Sequence, residues 1–174
     1  MAPSRSTPMR ISLVYTIYFL WVEPLFALAG TYLCLFDPAR FLTGTVPVPG
    51  LSIETKIISP VSHLILTNIG SLYVLFAIVE GITLRVTKER EVWFTILGAL
   101  LISDVGHLYA AYSIAPSHAS DFMSWNSDEW INYGTLTLGF LLRLAFMLGL
   151  GRNRIDAKDK SRTFHLGVES IALD

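Results

Sequence analysis

Charged residues are few in this chain: 16% of 174 residues, where a soluble domain carries about 25%. Apolar residues make up 52%, and the mean hydropathy is +0.52. A single cysteine, Cys34, excludes an intrachain disulfide and any cysteine-based zinc site. It lies in an apolar segment and reads as a buried, inert thiol. There is no basic run interleaved with aromatics, so nucleic acid is not an expected partner. The net charge of −1 points to no ionic partner either. GxGxxG, P-loop and GxSxG motifs are missing, which leaves nothing to hold a nucleotide or flavin. Asp104-Val105-Gly106-His107 offers two ligand types on one face, but no HExxH or second histidine pair completes it. No metal and no organic cofactor is expected. Internal repeats and low-complexity tracts are absent.

What the chain does have is long apolar runs. A helix needs roughly 20 mainly apolar residues to cross a bilayer, and four stretches qualify: 11–36, 57–84, 92–114 and 131–150. The first is longer than the apolar core of a cleavable signal peptide, about 7–15 residues, and is expected to remain as a span. Asp37-Pro38 and Pro47-Val48-Pro49-Gly50 break the chain after it. The charged run 85–91 forms a tight turn, and 116–130 makes the third connection. Pro60 suits a first helical turn, whereas Pro24 should kink the first span or open it locally. The pattern predicts an all-α, four-helix transmembrane bundle over 11–151, flanked by an N-terminal segment 1–10 and a polar tail 152–174.

Basic residues set the orientation. Ten of them, Arg5, Arg10, Arg85, Lys88, Arg90, Arg152, Arg154, Lys158, Lys160 and Arg162, fall on the side shared by both termini; Arg40 and Lys56 fall on the other. Both termini are therefore expected in the cytosol, and the endoplasmic reticulum is the default membrane. The five basic residues of the tail read as a solvated segment, with contact to anionic lipid heads as the alternative. The third connection has Asp121, Asp128 and Glu129 with Phe122, Met123, Trp125 and Trp130. It reads as an aromatic belt along the lumenal interface, or as a lid over an intramembrane cavity.

Against this background, the ionisable residues inside the spans stand out, because each costs roughly 2.5–3.5 kcal/mol to insert. Glu23 and Asp104 fall near the midplane, Arg143 slightly to the cytosolic side, and His107 one turn to the lumenal side of Asp104. Asn68 and Tyr73 share this depth, while Glu80 and His63 lie nearer the span ends. Asp104 and His107, three apart, share a face; Asn132, Gly139 and Arg143 form another stripe, as do Tyr73, Phe76 and Glu80. Two readings follow. The layer is structural, with an Asp104–Arg143 ion pair, Asn68 bonding between helices, Glu80 paired with Arg85 or Lys88, and His63 at the interface. Or it is a functional cavity: two midplane carboxylates exceed one arginine, and the unmatched carboxyl keeps the proton a general acid requires.

The motifs Trp21-Val22-Glu23-Pro24, Asn68 through Glu80, Ser103-Asp104-Val105-Gly106-His107-Leu108-Tyr109, Trp125-Asn126 with Asp128, Trp130 and Asn132, and Arg143 with Phe146-Met147-Leu148-Gly149 resemble a group of small fungal four-span membrane proteins. Some of these look like membrane-bound hydrolase or cyclase components of fungal polyketide pathways that make polyene α-pyrones of the aurovertin, citreoviridin and asteltoxin type. The resemblance covers about 15–151. It implies a membrane enzyme of secondary metabolism, of mycotoxin type, that opens epoxides installed by a pathway monooxygenase and forms oxygen heterocycles. Its substrate would be an apolar epoxidised polyketide taken from the lipid bilayer. Glu23 and Asp104 would be the acid–base pair and His107 would tune or share the proton. Arg143 and Glu80 would balance charge, while Asn68, Tyr73 and Asn132 orient the substrate. A sterol- or terpene-type isomerase or cyclase and a non-enzymatic membrane scaffold or lipid-binding protein are the alternatives.

Overall fold

Backbone N–H and C=O groups need partners inside a hydrocarbon layer, and helices supply all of them within one segment. The apolar runs accordingly form helices in the computed structural model, which describes residues 9–46 and 58–154. In chain order they are β1 (Met9–Ile11), α1 (Leu13–Ile17), a π-helical segment (Tyr18–Val22), α2 (Glu23–Phe36), α3 (Pro38–Thr45), α4 (Pro60–Ile78), a second π-helical segment (Val79–Thr83), α5 (Leu84–Val86), α6 (Arg90–Ile114), α7 (Pro116–Ser120), a 3₁₀ turn (Phe122–Ser124), α8 (Ser127–Met147) and β2 (Arg152–Arg154). Arg5, Lys56, the Pro47–Pro49 loop, Lys158, Lys160 and Arg162 lie outside the described residues.

The breakers in the sequence act as starts. Asp37 caps α3 and Ser59 caps α4, each followed by a proline at the first helical position, where a missing N–H does no harm. Asn126 and Glu129 form a reciprocal capping box at the head of α8. Pro24 opens the first span, as expected. The Glu23 N–H reaches back five residues to Tyr18 O, and Pro24 has no N–H to offer the Leu20 carbonyl four residues back. Arg85 fills that vacancy, donating from Nη2 to Leu20 O at 2.7 Å while its guanidinium lies 4.1 Å over the Trp21 ring.

Three continuous helices are long and apolar enough to cross a membrane: Leu13–Phe36, Pro60–Val86 and Arg90–Ile114. Only 28%, 22% and 17% of their most apolar stretches are buried, so the remaining aliphatic surface requires a lipid surrounding. This is the build of a membrane protein. The fourth expected span, 131–150, corresponds to α8, which does not meet the same measure. Asn132, the threonines Thr135 and Thr137, and Arg143 dilute its apolar character.

α2 packs along α4 through small residues. A Cβ on Gly30 would lie 2.9 Å from Tyr73 Cε2, one on Gly70 would lie 3.3 Å from Cys34 Cβ, and the Thr31 hydroxyl sits 3.1 Å from Gly70 O. At one end of the molecule Tyr15, Tyr18, Phe19, Leu20, Leu84, Trp93, Leu97 and Phe146 form a buried aromatic core. At the other, Cys34, Phe41 and Leu66 form a smaller one. There α3 lies against α8: Tyr133 donates its hydroxyl to Thr45 O, and Arg40 pairs with Asp128 at 3.1 Å. That hydrogen bond and the Asp128 charge raise the Arg40 guanidinium further above its ordinary pKa, on an exposed surface where such pairs contribute little.

β1 and β2 pair antiparallel, Met9 with Arg154 and Ile11 with Arg152. By sequence, Ile11 opens the first apolar span and the residues before it and from Arg152 onward are polar flanks. The physical reason for the strands is that both ends leave the helices side by side, and their free backbone groups satisfy one another.

Gly30→Ala is expected to lower stability by about 1–3 kcal/mol through overpacking against Tyr73. Gly106, whose Cβ would meet nothing within 4 Å, provides the control: Gly106→Ala is expected to be neutral or to gain up to about 1 kcal/mol from helix propensity. Thermal unfolding in detergent reads both.

Candidate functional site

Four helical segments direct ionisable side chains to one point. Glu23 begins α2 directly after the first π-helical segment, Glu80 lies within the second, Asp104 is on the buried face of α6, and Arg143 comes from α8. Arg143 Nη1 donates to Asp104 Oδ2 at 2.6 Å. Its Nη2 donates to Glu23 Oε1 at 2.6 Å and to Glu80 Oε1 at 3.1 Å. Arg143 and Glu80 are fully buried, whereas the Glu23 and Asp104 side chains keep 13% and 8% exposure. Because Glu23 and Glu80 bind the same nitrogen, their carboxyls stand beside each other. The Oε2 atoms of both acids meet no nitrogen or hydroxyl donor among the described residues, Arg143 Nε meets no acceptor, and the two carboxyls are within hydrogen-bonding reach of each other.

Aromatic rings and a bare backbone close the site. Phe19 and Phe76 place their rings 5.8 and 5.7 Å from Arg143 Cζ, within reach of a cation–π attraction. Gly139 forms one wall. A Cβ there would lie 3.0 Å from Glu23 Oε1, 3.1 Å from Arg143 Nη1 and 3.2 Å from the Tyr18 hydroxyl. Tyr18 itself donates to Thr135 O at 3.2 Å. Three carboxylates against one guanidinium would, if all were ionised, leave two negative charges uncompensated in a dry interior. The arrangement is therefore suited to holding and exchanging protons.

Glu23, Asp104 and Arg143 meet as the depth argument expected. Glu80 joins them instead of pairing with Arg85 or Lys88; Arg85 is engaged by the Leu20 carbonyl. His107 is exposed on α6 one turn from Asp104, with Nδ1 3.1 Å from Ser103 O of its own helix. Asn68 is exposed on α4, and His63, also exposed, lies 3.3 Å from the Thr67 hydroxyl. Tyr73 packs on Gly30 and Phe41, in the smaller core. Asn132 is half-buried near the head of α8, with its backbone carbonyl accepting from Thr135. None of these five is hydrogen-bonded to the cluster.

Tyr18 and the wall formed by Gly139 were not read as site features from the sequence. Tyr18 lies five residues before Glu23, a separation that points away on a regular α-helix. The π-helical register, which links residues five apart, brings the two to one side. Pro24 was the available signal.

Arg143→Gln is expected to destabilise the protein by about 3–5 kcal/mol, since it strands buried carboxyls. Adding Glu23→Gln, Glu80→Gln and Asp104→Asn to that variant should recover much of the loss, as judged by thermal unfolding in detergent.

No curated protein matches the chain, and no solved structure does. One family, described as a domain of unknown function, DUF7704, matches residues 9–153, a stretch that runs from β1 to β2 and includes every residue of the cluster. The chain belongs to the DUF7704 domain family.

Proposed function

We propose that this protein is a membrane-embedded acid–base catalyst that opens epoxides on an apolar polyketide and forms oxygen heterocycles. One observation carries the reading: three carboxyls from three helical segments surround a single buried guanidinium, and two of them, Glu23 and Glu80, stand close enough to hydrogen-bond to each other through a shared proton. Arg143 holds one carboxylate ionised, and the others avoid uncompensated buried charge by retaining protons. A retained proton and a neighbouring carboxylate are the acid and the base of the reaction.

Exposure supports a division of roles. The Glu23 and Asp104 side chains keep some exposure, although Glu23 Oε2 itself is buried, and we assign them as the pair that touches substrate; Glu80, wholly buried, balances charge. The acid transfers its proton to the epoxide oxygen as the C–O bond breaks. The attacking hydroxyl, from water or from the substrate itself, bonds to carbon and gives its proton to the carboxylate. Protons balance, and no redox cofactor is called for. His107 acts on Asp104 from one turn away. Asn68, Tyr73 and Asn132, which do not reach the cluster, are not needed for this chemistry. The resemblance to polyene α-pyrone pathway components supports this substrate class and a position after an epoxidising monooxygenase.

The membrane arrangement belongs to the same proposal: α8 makes a fourth crossing, and both termini face the cytosol, with the endoplasmic reticulum as the membrane. Its 21 residues span about 31 Å at 1.5 Å each, close to the hydrocarbon thickness. The β1–β2 pairing supports it, because two ends that hydrogen-bond to each other lie on one side, which requires an even number of crossings. The excess of basic residues on that side supports the cytosolic assignment.

With purified protein and a bis-epoxide polyene, Glu23→Gln and Asp104→Asn, each verified as folded, are expected to lose about 10²–10⁴-fold in turnover. Turnover of both at the wild-type rate, followed by mass spectrometry of the product, would reject the assignment. Glycosylation acceptor tags fused before residue 1 or after residue 174 are expected to stay unmodified in microsomes; modification of either tag counts against the four-crossing arrangement.

A further inference from the structure

The connection between α6 and α8 holds a second array of reactive side chains, separate from the intramembrane cluster. α7 supplies His118, the 3₁₀ turn supplies Ser124, and the first turn of α8 supplies Glu129. His118 Nε2 lies 2.8 Å from Glu129 Oε1, and the other oxygen of Glu129 accepts the Asn126 N–H at 2.7 Å. With both carboxylate oxygens accepting, Nε2 carries the hydrogen. The remaining nitrogen, Nδ1, presents its lone pair 3.0 Å from Ser124 Oγ. The histidine and glutamate side chains are 9% and 4% exposed, held in a dry setting, while Ser124 is exposed.

This is the geometry of an activated nucleophile: hydroxyl, base, and an acid that orients the base. The Ser124 hydroxyl also lies 2.7 Å from Asp121 O. Rotation about Cβ–Oγ turns its hydrogen from that carbonyl to Nδ1. The backbone N–H of Trp125, the residue after the serine, closes the 3₁₀ turn toward Phe122 O and would have to turn from it to meet an oxyanion. A donor at that position stabilises the oxyanion at serine nucleophiles on strand-to-helix turns. Apolar side chains border the serine on the surface: Phe122 is 55% exposed and Met123 84%. They suit a hydrocarbon chain.

We infer that Ser124, His118 and Glu129 form an acyl-transfer site for long-chain carboxylic esters. Ser124 Oγ attacks the ester carbonyl carbon as its proton passes to His118 Nδ1. The C–O bond to the alcohol then breaks, and the alcohol leaves with that proton. Water, activated by the same nitrogen, releases the fatty acid and frees the serine. Glu129 is a positioning residue that holds the ring in its tautomer.

The test uses the full chain in detergent with an alkyl fluorophosphonate, which forms a P–O bond to an activated serine and expels fluoride. Labelling is expected on the Ser124 peptide by mass spectrometry, absent in Ser124→Ala and in heat-denatured protein. His118→Gln should slow it about 10²-fold, and hydrolysis of a long-chain p-nitrophenyl ester should fall in parallel. Ser124→Ala removes an exposed hydroxyl with its bonds to Asp121 O and His118 Nδ1, so thermal unfolding is used to verify that the variant is folded before labelling is compared. The proposal is overturned if the native chain labels no faster than the denatured one, or if labelling persists in Ser124→Ala. Equal labelling of wild type and a folded His118→Gln would reduce the array to a brace for the α8 cap. Glu23→Gln should leave labelling unchanged, which keeps this outcome independent of the epoxide reading.

Discussion

The buried guanidinium of Arg143 is the interaction on which this structure depends. It reaches carboxyls on α2, on the π-helical segment that follows α4, and on α6, from its own place on α8. One side chain thus ties together four helical segments that otherwise present mostly aliphatic surface to one another and to lipid. Lysine would not serve equally. The planar fork of arginine presents fixed donors in two directions, so Asp104 is held by one terminal nitrogen while the two glutamates share the other. In a low-dielectric interior such bonds are strong, and any carboxyl left without a donor is costly. The same atoms therefore support the fold and concentrate exchangeable protons, and stability and chemistry are not separable at this point.

Backbone irregularity makes the convergence possible. Both glutamates sit at π-helical segments, where an extra residue in the turn rotates side chains out of the ordinary register. At the first, Pro24 withholds a hydrogen bond, the chain widens, and Arg85 satisfies the exposed Leu20 carbonyl from the neighbouring helix. Pro24 also packs 3.5 Å from where a Cβ on Gly81 would stand, so the two irregular segments lie against each other. A proline on one helix and a glycine on the other set the approach that lets the two acids reach a common nitrogen.

The connection between α6 and α8 is organised by a different principle. It has no lysine or arginine, and its polar groups satisfy one another locally. The capping box of Asn126 and Glu129 starts α8, His118 joins it, and Trp125 donates Nε1 to the His118 carbonyl at 3.1 Å. Trp125 also meets Trp130 and Tyr133, with ring centroids 5.2 Å apart in each pair. Such a segment is rigid without being buried, and it keeps reactive groups in place beside an apolar surface. The molecule thus has one ionic cluster among its helices and one hydrogen-bonded array at their end.

Much of this was legible in the sequence because it follows from local rules. Apolar run length located the three long apolar helices, Pro38 and Pro60 marked helix starts, and Pro24 marked a local opening. Insertion cost singled out Glu23, Asp104, His107 and Arg143 as one polar layer, and three of the four meet. Other features were not legible, each for a physical reason. His107 shares a face with Asp104 by spacing, yet on α6 that arc is wide enough for one residue to be buried and the other exposed. Tyr18 depends on π-helical register, which no regular period reveals. The choice of Arg143 over nearby Arg85 or Lys88 as the partner of Glu80 depended on which helices became neighbours. Sequence by itself determined that this chain must be helical, must meet lipid, and must hide ionisable groups within its helices. Only the tertiary structure decided that three acids share one arginine, because that requires distances among segments far apart in the chain.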